Sequence, residues 1–125
     1  MIYGIGTDIV TISRVAALYQ RHGERALEKL LSPSERADCR EAAQPGRFLA
    51  KRFAAKEALG KALGTGVRAP VLLTAISIVH GDLGKPGFEF APELAAHLAT
   101  LGLQAHLSLS DETDVALAFV ILEQR

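Results

Sequence analysis

RFAAKEALGKALGTG, residues 52–66, sets Lys56, Glu57 and Lys61 into a run otherwise made mostly of small and apolar side chains. The Gln44-Pro45-Gly46 turn precedes it and Gly64-Thr65-Gly66 ends it, so the spacing predicts one long helix at the centre of the chain. At about 100° per residue, Arg52 and Lys56 share one stripe, crowded by Leu59 and Leu63, while Phe53, Glu57, Gly60 and Lys61 lie along another. These charges do not form one polar face opposite one apolar face, as on an ordinary surface helix, so some are expected to be enclosed. Two readings of Glu57 and Lys61 stand side by side. One is a solvated i,i+4 pair worth about 0.2–0.5 kcal/mol. The other is a phosphate site, with Arg52, Lys56 and Lys61 neutralising phosphate oxygens beside the glycine-bounded helix end at Gly64 and a carboxylate holding a divalent cation. Magnesium in phosphate chemistry takes one or two protein carboxylates, and Asp8 is the best partner for Glu57. Asp8 is equally suited to turn formation or to capping toward Thr11.

Outward from this helix the elements follow in order. MIYGIGTDIV opens a strand expected to end near Asp8, and Thr11 is placed to cap a helix over 12–21 that carries Arg14 and Arg21. A short helix over 25–31 begins at Arg25. Ser32-Pro33-Ser34-Glu35 has the capping-box spacing with proline at the first helical position, which marks a third helix. Beyond the long helix, TAISIVH and FEF flank the turn GDLGKPG as a hairpin, Pro92 begins a helix to Leu101, and AHLSLS and VALAFVIL are two further strands around a turn over 111–114. Strand, helices, two strands, helix, two strands is an α+β order, with a largely antiparallel sheet packed against the long central helix. No repeat or linker divides residues 1–125, so one domain is expected.

Composition narrows the partners. Fourteen basic and fourteen acidic side chains cancel, so no overall field draws the chain to nucleic acid or an anionic membrane, and recognition by charge must be local. Hydrophobic residues make up 49% and charged residues 22%, the balance of a globular protein, and no apolar run approaches the roughly 20 residues that cross a bilayer. One cysteine, Cys39, and a start without signal-peptide regions lead us to expect a cytoplasmic home. GIGTDI carries Ile9 where a dinucleotide fingerprint needs its third glycine, and no P-loop, HExxH or GxSxG pattern occurs.

GIGTDIVTISR near the start and FLAKRFAAKEALGKALGTG in the middle, with the Gly84-Lys85-Pro86 turn and HLSLSD before VALAFVILE, resemble the holo-acyl-carrier-protein synthases over essentially the whole chain. These are the small 4′-phosphopantetheinyl transferases of bacterial fatty-acid synthesis. The resemblance implies transfer of the phosphopantetheine arm of coenzyme A to a serine of apo acyl carrier protein, with release of adenosine 3′,5′-bisphosphate. It implies that Asp8 and Glu57 bind magnesium with the coenzyme's pyrophosphate, with Lys61 on the pyrophosphate and Arg52 and Lys56 on neighbouring phosphates. Lys85, Pro86 and His106 are then further coenzyme contacts, although His106 by itself reads as a half-buried strand residue. The base for the serine is either Glu57 or a water on the magnesium. Arg14, Arg21 and Arg25 are implied in holding the acidic carrier protein, and the assembly is implied to be a homotrimer with sites between subunits. Asp111 departs from the pattern, because many members place histidine there. The competing reading is a noncatalytic module that binds coenzyme A or a carrier protein.

Overall fold

The structure, a computed structural model, describes residues 1–125. Strand β1 (Ile2–Thr11) runs into helix α1 (Ile12–His22), followed by α2 (Glu24–Leu30), α3 (Pro33–Glu41) and the 19-residue α4 (Pro45–Leu63). A 3-10 turn (Leu73–Ala75) leads to β2 (Ile76–His80) and β3 (Pro86–Phe90), then α5 (Pro92–Thr100), β4 (Leu103–Asp111) and β5 (Val115–Gln124). All strand pairs are antiparallel, as the α+β reading expects, but they form two sheets: a three-stranded sheet in the order β1-β5-β4 and the β2-β3 hairpin.

β1 does not end near Asp8. Ile9, Val10 and Thr11 continue the ladder opposite Leu117, Ala116 and Val115, because β-branched residues suit the half-buried strand and β5 offers it a full-length partner. Thr11 makes no side-chain cap; the Ile12 N–H donates instead to the Asp114 carbonyl, 2.9 Å away. Ser32 and Glu35 behave as the capping box predicts, the Glu35 carboxylate taking the Ser32 N–H at 3.0 Å.

α4 lies on the inner face of the three-stranded sheet. Gly4 and Gly6 make that contact possible, since a Cβ on either would come within 2.0 Å of the Ala62 or Ala58 carbonyl oxygen. The alanine-rich side of α4 (Ala54, Ala55, Ala58, Ala62) closes onto Ala118, Val120 and Leu122 of β5 with Ile76 and Leu94 behind, while Leu49 and Ala50 join Val15, Leu27 and Leu31 in a second cluster. Each fully buried leucine contributes about 1.5–3 kcal/mol relative to exposure. Small side chains on α4 thus bring helix and strand backbones close, which fixes Glu57 and Lys61 relative to Asp8.

The outer face of the sheet has no cover from within the chain. Ile5 is 60% and Ile9 64% exposed, and Leu117 and Phe119 are exposed beside them.

Candidate active site

Direct cross-strand partners share a face of a sheet. Asp8 stands opposite Ala118, which is buried against α4, so Asp8 points to the helix side at the border of the core. There it meets Glu57. The two carboxylates line one cleft of about 350 Å3 together with Val15, Leu18 and Phe53, and Arg14 of α1 lines the same cleft. Lys61, one turn beyond Glu57, donates to the Thr7 carbonyl at 2.9 Å and to Asp8 Oδ1 at 3.1 Å. The ammonium has three donors, so one remains for a ligand.

Burial first, and the charge of Asp8 second, push the Glu57 carboxyl above its ordinary range, while Lys61 pulls it back. Two carboxylates that repel one another in a half-enclosed cleft, with one lysine against them, fit a hard divalent cation, which would turn the repulsion into shared attraction. Two protein oxygen donor groups also suit magnesium, whose remaining positions go to waters and substrate phosphates.

Lys56 is not in this site. The expectation that it meets a phosphate is corrected by its burial: its side chain is 0% exposed, and its ammonium donates to Glu35 Oε1 at 2.6 Å, the Leu30 carbonyl at 2.9 Å and the Leu73 carbonyl at 3.0 Å. All three donors are spent inside the protein. Arg52 shares its stripe, as the helical spacing predicted, and shares its fate. The guanidinium packs over the Phe48 ring at 3.8 Å, lies 3.9 Å from Glu35 Oε2 and is 11% exposed, away from the Asp8 cleft. Burial lowers its pKa, opposed by Glu35.

The other predicted residues are dispersed. Gly64 sits in the left-handed conformation at the end of α4, a helix end that the Gly66 N–H closes by donating to the Gly60 carbonyl. Lys85 and Pro86 close the β2-β3 hairpin, where the Gly81 N–H donates to the Lys85 carbonyl. His106 stands opposite Ile121, which stands opposite Ile5, so it belongs to the outer face and is separated from Asp8 by the sheet itself. Arg21 is in the last turn of α1. Arg25 lines a second cavity of about 310 Å3 between α1 and α2 with Leu18, His22 and Lys29. Leu18 borders both cavities, so one surface runs from Asp8 past Arg14 to Arg25.

Asp111 makes no cation-like contribution. It accepts from Arg47 Nη1 at 2.6 Å, and the same guanidinium donates to the Glu112 and Thr113 carbonyls, which ties the β4-β5 turn to the start of α4. Sequence reasoning left out Leu18 and Phe53 from the cleft. A leucine one helical turn after Arg14 is the signal the sequence offers for the first.

Paired carboxylates and a lysine at the junction of a strand and a long helix suit a phosphorylated ligand held with a divalent cation. The profile of the 4′-phosphopantetheinyl transferase superfamily matches residues 4–120. The chain is 60% identical to the holo-[acyl-carrier-protein] synthase of Dechloromonas aromatica, covering 98% of both sequences. The crystal structure of holo-[acyl-carrier-protein] synthase from Neisseria meningitidis superposes with a TM-score of 0.95 at 46% identity, covering 99% of this chain and 100% of that one. The Bacillus anthracis holo-(acyl-carrier-protein) synthase, solved in complex with CoA (3′,5′-ADP), gives a TM-score of 0.83 at 32% identity over 100% of this chain and 99% of that one. The chain belongs to the 4′-phosphopantetheinyl transferase superfamily. Within it, the chain is an enzyme, a phosphopantetheinyl transferase.

Proposed function

We infer that the arm of coenzyme A is transferred at the Asp8 cleft. The enzyme moves 4′-phosphopantetheine from coenzyme A to a serine of apo acyl carrier protein: the serine hydroxyl gives its proton to Glu57 or to a water in the cleft as its oxygen bonds to the phosphorus of the arm, the pyrophosphate bridge breaks and adenosine 3′,5′-bisphosphate leaves. The observation that carries this reading is the meeting of Asp8, Glu57 and Lys61 in one cleft with Arg14. Asp8 and Glu57 hold magnesium, which when bound withdraws charge from the phosphates. Lys61 offers its remaining donor to a pyrophosphate oxygen, so a positive charge already in place meets the charge that grows on the departing bisphosphate. Gly64, Lys85, Pro86 and His106 complete the coenzyme contacts.

Arg14 and Arg25 flank exposed Leu18, and Arg21 follows on α1. This row of cations around an apolar spot suits an acidic carrier protein, with Arg14 delivering the serine to the cleft. His106 and Asp8 lie on opposite faces of the sheet. A site using both needs a second copy of the chain, and the exposed Ile5, Ile9, Leu117 and Phe119 offer the apolar surface for one. A cytoplasmic homotrimer, each subunit acting as one unit over residues 1–125, satisfies this. No helix is long and apolar enough to cross a membrane.

The test is mass spectrometry of apo acyl carrier protein incubated with the enzyme and coenzyme A, with and without magnesium. A gain of one phosphopantetheine arm at the serine, abolished by chelator, is expected. No gain, beside a control transferase that modifies the same carrier, would favour the noncatalytic binding module. The assembly has its own check. Phe119→Glu places a charge in the centre of the apolar face, and sedimentation velocity is expected to show a trimer for the wild type and a monomer for the variant. A variant that still sediments as a trimer would place the interface elsewhere.

A further inference from the structure

Three elements give the Asp8 cleft an apolar lining: Val10 from β1, Val15 and Leu18 from α1, and Phe53 from α4. Phe53 precedes Glu57 by four residues, so ring and carboxylate lie one turn apart on one face of the helix. Lys61 follows Glu57 by the same interval. Along α4 this stripe therefore passes from ammonium to carboxylate to aromatic ring. Val15 is 4% exposed and belongs to the second core cluster, so the wall on the α1 side is fixed by the core itself. Burial is also the first cause that raises the Glu57 carboxyl, as expected of an acid set beside apolar side chains. Neither Val15 nor Phe53 can hold a phosphate or a cation, yet both stand in the cleft with the two acids.

The serine of the carrier protein has a competitor in water. A water oxygen can bond to the phosphorus of the arm, its proton passing to Glu57 or to a second water; the pyrophosphate bridge then breaks, and 4′-phosphopantetheine and adenosine 3′,5′-bisphosphate both leave free. A cleft of about 350 Å3 has room for several waters, so its size does not prevent this. We propose that Phe53, backed by Val15 and Leu18, keeps water off the phosphorus while the serine is in place, so that coenzyme A is spent on the carrier protein and not on hydrolysis. This rests on the transferase reading above. A buried water settles where about two to four polar groups receive it, and an aromatic ring and two aliphatic side chains offer none. Arg14 lines the cleft from the same helix as Val15 and Leu18, so an acceptor that it guides enters past the apolar wall. Phe53 is the largest of these side chains and the one on the same helical face as Glu57, which makes it the residue whose removal wets the reacting atoms most.

The experiment counts two products together, adenosine 3′,5′-bisphosphate released and phosphopantetheine arms gained by the carrier protein, for wild type, Phe53→Ala, Phe53→Leu and Leu18→Ser. The wild type should release one bisphosphate per arm. Phe53→Ala removes the ring and opens space for water, and the ratio is expected to rise to about two or more, with free 4′-phosphopantetheine making up the difference. Phe53→Leu keeps the wall apolar and should hold the ratio near one. Leu18 is 41% exposed, so Leu18→Ser spares the fold and wets the wall from α1; its ratio should also exceed one. In heavy-oxygen water the label should enter the free 4′-phosphopantetheine and not the bisphosphate, because the attack is on the phosphorus of the arm. A merely structural or docking role for Phe53 would slow loading and bisphosphate release together and leave the ratio at one. A ratio of one in Phe53→Ala, or in Leu18→Ser should Phe53→Ala not fold, overturns the proposal. So does a rise as large in Phe53→Leu as in Phe53→Ala, or label in the bisphosphate. A wild type that loads no carrier protein, beside a control transferase that does, removes the transferase reading itself, and the proposal falls with it.

Discussion

Glu57→Gln and Asp8→Asn are each expected to lower transfer of the phosphopantetheine arm by on the order of 10²- to 10³-fold, as loss of several kcal/mol of charge stabilisation would. The same substitutions should leave the fold intact and the metal-free protein no less stable. Burial and the neighbouring charge of Asp8 raise the Glu57 carboxyl, so its ionised form is held at a cost in the absence of a cation. Removing one charge relieves that. The sign of the pH dependence follows from linkage. Between the ordinary carboxyl value and the raised native one, the unfolded chain ionises Glu57 before the native chain does, so the native state binds more protons and rising pH lowers stability across that window. Thermal melts of the metal-free wild type should show this slope and those of Glu57→Gln should lack its Glu57 component. Magnesium should raise the melting temperature of the wild type and not of either variant. If either variant transferred the arm at the wild-type rate, Asp8 and Glu57 would not be the metal ligands.

Much of this arrangement was legible in local sequence. The long helix, its glycine stop, the Ser32-Glu35 box and the β2-β3 hairpin all follow from signals within a few residues, and the helical spacing correctly put Lys56 beside Arg52 and Glu57 beside Lys61. A helical stripe states which residues travel together and not what they face. Lys56 and Arg52 turn to Glu35, which precedes Lys56 by 21 residues and is brought there by the docking of α3 on α4. β1 shows the same limit. Alternation puts its end near Asp8, yet Asp8 stays in the ladder opposite Ala118 with its side chain turned to Lys61, and β5 pairs on to Thr11. His106 reads as a strand residue from alternation alone. Only the register of β1, β5 and β4 reveals that it and Asp8 occupy opposite faces of the sheet.

The buried pair below the cleft carries the largest expected effect on stability. Glu35, 3% exposed, accepts from the Ser32 N–H and Lys56 at one oxygen and from the Ile78 N–H, 2.9 Å away, at the other. Through Lys56 the same carboxylate joins the end of α2, the start of α3, the 3-10 turn and β2 to α4. Burial pulls the Lys56 ammonium down in pKa and Glu35 opposes it, so neither charge is tolerable there without the other. Lys56→Met fits the stem of the lysine but abandons a carboxylate in the interior with its counter-charge gone. Breaking such a pair costs about 3–5 kcal/mol, and for a domain of this size that is a melting temperature lower by roughly 10–20 °C. Glu35→Gln should fall in the same range, and since the two changes remove one interaction, the double variant should lose less than their sum. Urea or thermal unfolding of the four proteins measures the coupling directly. Were Lys56 instead a phosphate contact at the surface, Lys56→Met would leave the melting temperature nearly unchanged and raise KM for coenzyme A, the opposite pattern to the one its three buried hydrogen bonds require.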